Sequence, residues 1–243
     1  MPKRLYSRTL GRLANHPLSR HLIGLFIWTY GIDKTEIGRP IQAFTSLQDF
    51  FTRRLPADAR SIAQDAHLVS PVDGTVSAIG AVEDGQTVQA EGLTTDVEQL
   101  LKSPAEGWNE HDFAVMYLSP GTYHRVHSPC DGVVRRLEYQ PGALWPVFAS
   151  VTRSRPGLFE GNERLILEMD TNEGPVAVVM VGALGVGHIT WRIEVGQAIG
   201  KGQEIGQFGL GSTVIVLTMP TIWRITPGDA VKMGQAIGSG VQG

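Results

Sequence analysis

Three short segments carry side chains able to act on one another: Ser70-Pro71-Val72-Asp73-Gly74, Tyr123-His124-Arg125-Val126-His127-Ser128-Pro129, and Phe208-Gly209-Leu210-Gly211-Ser212-Thr213-Val214-Ile215-Val216. Each has an ordinary reading when taken singly. Asp73-Gly74 is a turn. A lone histidine such as His127 is more often a satisfied, partly buried residue than a catalyst. Gly211-Ser212-Thr213 can simply open a strand. Together the segments offer a carboxylate, an imidazole and a hydroxyl. Those are the parts that orient a base, remove a proton and deliver an alkoxide, and geometry rather than chain order defines such a group.

Ser212 sits oddly for a hydrolase nucleophile. No G-x-S-x-G elbow leads from it into a helix. It opens an apolar strand instead, after Gly209 and Gly211. A glycine before the serine leaves the peptide carbonyl sterically open and lets the backbone adopt strained angles. A serine that attacks its own preceding carbonyl performs an N→O acyl shift. Elimination of the ester would then split the chain and leave a pyruvoyl group at the new N-terminus. The residues alone leave three readings open: this self-processing chemistry, a serine hydrolase using Asp73, His127 and an intact Ser212, and a non-enzymatic carrier or binding module.

The elements that must position these groups are mostly strands. Beyond residue 66, short β-branched runs are punctuated by turn residues at 68–69, 74–82, 86–90, 113–118, 132–139, 164–170, 175–182 and 212–218. Only 94–102 has helical texture there, with Thr95 as its cap and Glu98 three residues on. The 29 glycines and 14 prolines suit a β-rich chain with many turns. An internal echo links Pro71-Val72-Asp73-Gly74 to Pro129-Cys130-Asp131-Gly132, and 195–203 to 228–235. The echo resembles the flattened barrels of biotinyl and lipoyl carrier domains. It predicts an α+β, mainly β fold: a duplicated barrel-sandwich-like domain over 66–243 behind a helical segment, 1–65. Lys232 lies inside a Val-Lys-Met-Gly turn rather than at a hairpin tip, which disfavours a carrier role.

Charge is uneven along the chain. Five of the 21 basic residues (Lys3, Arg4, Arg8, Arg12 and Arg20) precede the first acidic one, Asp33. The other 16 basic residues stand against 24 acidic ones, and the net charge is −3, so a broad basic nucleic-acid surface is excluded. The single cysteine, Cys130, excludes an internal disulfide and a cysteine metal cluster. Residues 3–15 and 18–30 have helical patterns, and Leu22–Tyr30 is too short to span a bilayer. A basic arm with Leu, Phe and Trp reads as an interfacial anchor on an anionic membrane surface, or else as a hairpin packed on the body. A further helix is expected over 41–55. Every cleavage residue lies at or beyond Asp73, so residues 1–30 are expected to be dispensable for cleavage.

In this order and spacing the motifs resemble those of phosphatidylserine decarboxylases over nearly the whole chain. Tyr123-His124-Arg125-Val126-His127-Ser128-Pro129 is similar to the family's Y-H-R-V-H-x-P, and Pro71-Val72-Asp73-Gly74 to its P-x-D-G. Phe159-Glu160-Gly161-Asn162-Glu163-Arg164 resembles its F-x-x-N-E-R, and Val181-Gly182-Ala183 its V-G-A strand. Lys201-Gly202-Gln203-Glu204-Ile205-Gly206-Gln207-Phe208 resembles the K-G-x-E-x-G-x-F lead-in, and Leu210-Gly211-Ser212-Thr213 the self-cleavage site. The chain departs from the pattern at Trp145-Pro146-Val147-Phe148, usually F-x-V-N, and at His188, usually Ser. His188 is therefore a candidate third imidazole or a polar strand-end residue.

The resemblance implies that Asp73 and His127 activate Ser212 for cleavage between Gly211 and Ser212. The products would be a large chain, 1–211, and a small chain, 212–243, held together by shared strands. Ser212 would become a covalent pyruvoyl cofactor and form a Schiff base with phosphatidylserine. Loss of CO₂ would give phosphatidylethanolamine, with His124 as the acid–base group of that second reaction. No metal is expected. A peripheral location on the cytoplasmic face of the cell membrane and a homodimer are also implied.

Overall fold

The computed structural model describes residues 11–90, 93–184, 189–209 and 212–240. The fold is mainly β. Eleven strands build and flank the site: β1 (Gly74–Ala81), β2 (Asp112–Leu118), β3 (Arg125–His127), β4 (Gly132–Gln140), β5 (Arg164–Thr171), β6 (Gly174–Gly182), β7 (Ile189–Trp191), β8 (Ala198–Ile199), β9 (Glu204–Phe208), β10 (Ser212–Thr218) and β11 (Ala230–Val231). Eight form one antiparallel sheet in the order β8-β4-β5-β6-β10-β2-β1-β11, and β7, β9 and β3 form a smaller one.

Both faces of the large sheet are covered, which explains the continuous apolar runs of its central strands. Along β10, Val214 and Val216 enter one core with Met116, Leu118, Met180, Val126 and Phe208. Ile215 and Leu217 enter a second core with Val115, Val179, Val181 and Phe113. The period of two thus splits each strand between two cores. The first core lies between the large sheet and the β3/β9 layer.

The internal echo appears as matched hydrogen bonding. β11 meets β1 with Val231 opposite Gly74, and β8 meets β4 with Ile199 opposite Gly132. Ser70 Oγ donates to the Val72 carbonyl and Ser128 Oγ to that of Cys130, each at 2.7 Å. Met233 N donates to Asp73 Oδ1 at 2.9 Å, and Lys201 N donates to Asp131 Oδ1 at 2.7 Å. The aspartate of each half therefore ties its own Gly turn to the sheet before any chemistry is asked of it.

The helical part is more broken than its periodicity predicts. A 3₁₀ turn, Pro17–Leu22, runs into α1 (Ile23–Tyr30), which ends at Gly31 in the left-handed conformation. The single helix expected over 41–55 is instead a 3₁₀ turn at Ile41–Ala43 and a short α2 (Leu47–Phe51). Extended Ser46 separates them, and its Oγ accepts from Asp49 N at 3.1 Å as an N-cap. Thr95 lies in a strand, Leu93–Asp96, and Asp96 caps the next helix, α3 (Val97–Leu101), in its place. Ile23, Ile27, Phe44 and Phe50 close a third, small core beneath this part.

Candidate active site

Ser212 is the first residue of β10, fully buried, and paired on both sides: Leu118 of β2 and Gly182 of β6 lie opposite it. By the strand period its side chain shares the face of Val214 and Val216, toward the β3/β9 layer. Its Oγ is buried and has no hydrogen-bond partner among the described residues. A buried hydroxyl without a partner costs roughly 1–3 kcal/mol. The Gly182 side of the pairing is fixed by Asn162, whose Nδ2 donates to the Gly182 carbonyl at 2.9 Å. Leu210, Gly211 and His188 lie outside the described residues.

Strand β9, which leads toward the cleavage site, helps to place the histidines. Phe208 N donates to the His124 carbonyl at 3.0 Å, and His127 N donates to the Pro71 carbonyl at 2.9 Å. The second contact brings His127 beside the Asp73 segment. The side chains do not form the expected chain of carboxylate on imidazole. His127 Nδ1 meets the Gly202 carbonyl at 2.8 Å and its Nε2 meets Tyr123 Oη at 3.0 Å. Those partners assign the proton to Nδ1 and make Nε2 the acceptor of the tyrosine hydroxyl. Asp73 accepts from Arg60 Nε at 3.0 Å and from Arg60 Nη2, besides Met233 N. Arg60 in turn reaches Glu36 at 2.8 Å. In this arrangement a backbone carbonyl orients His127, and Asp73 acts on it only through space.

His124 is fully buried, with Nδ1 on the Thr122 carbonyl at 2.9 Å and Nε2 without a partner among the described residues. The Phe51 ring of α2 lies 4.1 Å from its ring. Burial pushes the His124 imidazole down to about 3 and lowers that of His127 as well. Both rings are therefore neutral bases near neutral pH. An unfolded imidazole takes up a proton near 6.5, whereas His124 stays neutral down to about 3 and His127 is shifted in the same direction. Their contribution to stability is complete above 6.5 and is lost as pH falls below it. The melting temperature should therefore fall between pH 6.5 and 4.5, before Glu36, held by Arg60 at about 2 instead of 4.5, begins to contribute. Replacing His124 with Gln should flatten that interval in a calorimetric pH series. An unchanged slope would show that His124 is not a neutral buried ring.

Several residues at the site carry no recognisable sequence signal. Gln48 Nε2 of α2 donates at 2.8 Å to the Gly209 carbonyl, three residues before Ser212 in the chain. Arg53 Nη2 donates at 2.9 Å to the Gly121 carbonyl in the loop that carries His124. Arg125 donates to the Thr52 carbonyl at 2.9 Å. Gln48, Arg53 and Arg60 lie in the helical preface and reach the site only through the fold. Tyr123 is part of the histidine motif, yet its hydroxyl contact with His127 is visible only in three dimensions.

The arm is also less separate than residue numbering suggests. Lys3, Arg4 and Arg8 lie outside the described residues, but its later part packs on the body. Ser19 Oγ accepts from Leu47 N at 2.9 Å, and Phe26 packs on Phe51 at 6.2 Å. A Cβ on Gly121 would meet Tyr30 Cβ at 2.8 Å, so Tyr30 abuts the His124 loop. Tyr30 and Phe26 thus pack on the loop and the helix that hold His124.

Comparison with known proteins gives the family of the chain. The family model described as phosphatidylserine decarboxylase matches residues 47–239. Phosphatidylserine decarboxylase proenzyme of Acidovorax ebreus (strain TPSY) is 39% identical over 242 residues, covering 89% of this chain and 85% of the relative. The proenzymes of Azoarcus sp. (strain BH72) and Aliivibrio salmonicida (strain LFI1238) are 39% and 38% identical, over 89% and 90% of this chain and 84% and 86% of their own lengths. The matched span runs from α2, which braces His124, through the buried serine of β10, and on these grounds the chain belongs to the phosphatidylserine decarboxylase family.

Proposed function

We propose that this chain is a self-processing decarboxylase that converts phosphatidylserine to phosphatidylethanolamine and CO₂. The observation that carries the reading is the buried Oγ of Ser212, without a hydrogen-bond partner among the described residues, at the head of a doubly paired strand. Ser212 Oγ attacks the Gly211 carbonyl carbon, the peptide C–N bond breaks, and an ester forms. Elimination releases the Gly211 carboxylate, and hydrolysis of the resulting enamine releases ammonia and leaves a pyruvoyl group at position 212. His127 is the neutral base assigned to the serine proton, taken at Nε2 once the Tyr123 hydroxyl leaves that nitrogen, and Asp73 favours the protonated form. The buried serine oxygen at the strand head fits this role, and the pyruvoyl group supplies the electron sink for loss of CO₂. His124, neutral and with no partner for Nε2 among the described residues, holds or moves the proton of that reaction, while Phe51 keeps water from its ring. Intact mass should show a small chain of 32 residues and a large chain of 211, the small chain reacting with hydroxylamine. A single unreactive chain of full mass would sink the proposal.

The matched hydrogen bonds of the two aspartate turns support reading 66–243 as a duplicated barrel-sandwich domain, with 1–65 as the membrane-associating segment. Among the described residues no helix is long and apolar enough to cross a membrane. Leu18, Leu22, Leu25 and Trp28 are exposed by 69%, 52%, 59% and 80%, at the spacing of one helical face. That face supports a peripheral location on the cytoplasmic side of the cell membrane. Replacing Leu22, Leu25 and Trp28 by Ser spares the buried Ile23 and Ile27. It should weaken co-sedimentation with anionic liposomes by roughly tenfold or more, since each large apolar side chain contributes about 1.5–3 kcal/mol when buried. Cleavage should continue. Undiminished liposome binding would place the anchor elsewhere.

A further inference from the structure

Between α2 and β3 lies a cleft of about 290 Å³ lined by Gly38, Arg39, Asp49, Thr52, Arg53, Arg54 and Arg125. Its charges do not cancel. Arg39 pairs with Asp49, and Arg125 pairs with Glu204 at 2.6 Å. Arg54 only approaches the same glutamate, at 3.8 Å, and its side chain is 65% exposed. Arg53 is 4% exposed, and its Nε and Nη1 have no hydrogen-bond partner among the described residues. The carboxylates that influence it from a distance, Asp73 and Glu36, are both bonded to Arg60. Among the described residues, four guanidinium groups thus face two carboxylates. A buried guanidinium without a close counter-charge is costly unless an anion approaches it.

The cleft adjoins the chemistry. Arg53 Nη2 lies 3.5 Å from the Thr122 carbonyl, the same oxygen that His124 Nδ1 contacts at 2.9 Å. We propose that this arginine cleft receives the phosphodiester of the lipid headgroup and so places the serine moiety against His124. The assignment rests on the decarboxylase reading. The phosphorus of such a lipid lies three bonds from the serine Cα, about 4 Å, so both groups fit one locality. The substrate offers a second anion, its carboxylate, but that is the wrong partner for a guanidinium. The carboxylate loses its charge as CO₂ departs, and pairing it would stabilise the ground state more than the transition state. The phosphodiester keeps its charge throughout. Binding it is uniform along the reaction and acts on KM rather than kcat.

Arg53 also holds the His124 loop, so its removal would confound folding with binding. Arg54→Glu, at the exposed rim, is the cleaner variant. Maturation is checked first by intact mass. On a soluble short-chain phosphatidylserine, which removes bilayer attraction, KM should rise about tenfold, the scale of one charge-assisted contact. On an O-alkyl ether of serine, which keeps the free amine and carboxylate but lacks the phosphate, Arg54→Glu and wild type should have the same KM. Glycerophosphoethanolamine should compete with substrate better than inorganic phosphate in the wild type. An unchanged KM, an equal rise on the phosphate-free ether, or stronger competition by inorganic phosphate would each overturn the assignment. If the wild type itself never matures, the decarboxylase reading fails and this assignment with it. Normal maturation with unchanged KM removes the assignment alone.

Discussion

Ser212→Ala should accumulate as one chain of 243 residues without decarboxylase activity. Alanine has no oxygen to attack the Gly211 carbonyl, so neither the ester nor the pyruvoyl group can form. The fold should tolerate the change. Ser212 is fully buried and its hydroxyl makes no hydrogen bond among the described residues, so the methyl side chain removes an unpaired polar atom from an apolar setting. The variant should therefore melt at or slightly above the temperature of a wild type held unprocessed. Denaturing electrophoresis with thermal unfolding checks both statements. A normal small chain in this variant would remove Ser212 from the mechanism, and loss of folded protein would show that the hydroxyl has a structural role.

His127→Ala should slow self-cleavage roughly 10²–10⁴-fold, the range expected for loss of a general base. Asp73→Asn should also slow it, by less, because the carboxylate acts on His127 through space while the Gly202 carbonyl orients the ring. The internal repeat supplies the control. Asp131 accepts Lys201 N as Asp73 accepts Met233 N, but among the described residues no arginine clamps Asp131 as Arg60 clamps Asp73. Asp131→Asn should therefore disturb its turn to a similar degree while leaving cleavage near the wild-type rate. Rates come from the decay of full-length chain on denaturing gels after synthesis. If Asp73→Asn and Asp131→Asn slow cleavage equally, the effect of Asp73 is that of a turn and not of a catalytic carboxylate.

Much of the β framework is legible in the sequence, because strand periodicity is local. The runs at 74–82, 113–118, 132–139, 164–170, 175–182 and 212–218 each lie within two residues of an observed strand. Short strands such as β3, β8 and β11 carry too few residues to show a period, and they exist because longer neighbours supply their hydrogen bonds. The helical preface misleads for the opposite reason. Phe44, Leu47, Phe50 and Phe51 recur at helical spacing, yet Ser46 stays extended and divides the segment, its side chain capping α2. Here a side-chain hydrogen bond outcompetes the periodic pattern.

The residue types and spacing around Asp73, His124, His127 and Ser212 leave three chemistries open and the family resemblance selects among them, whereas the place of Ser212 at the head of an apolar strand is legible directly. A motif is a local string, and it holds the parts list of a reaction. Which side chains meet is a different matter, decided by contacts between segments far apart in the chain. Only the tertiary structure gives His127 to Tyr123 and Gly202, gives Asp73 to Arg60, and sets Gln48, Phe51 and Arg53 of the helical preface against Gly209, His124 and the His124 loop. Desolvation by those packed elements also lowers the two imidazoles, a property that depends on everything surrounding a ring and on nothing in its immediate sequence.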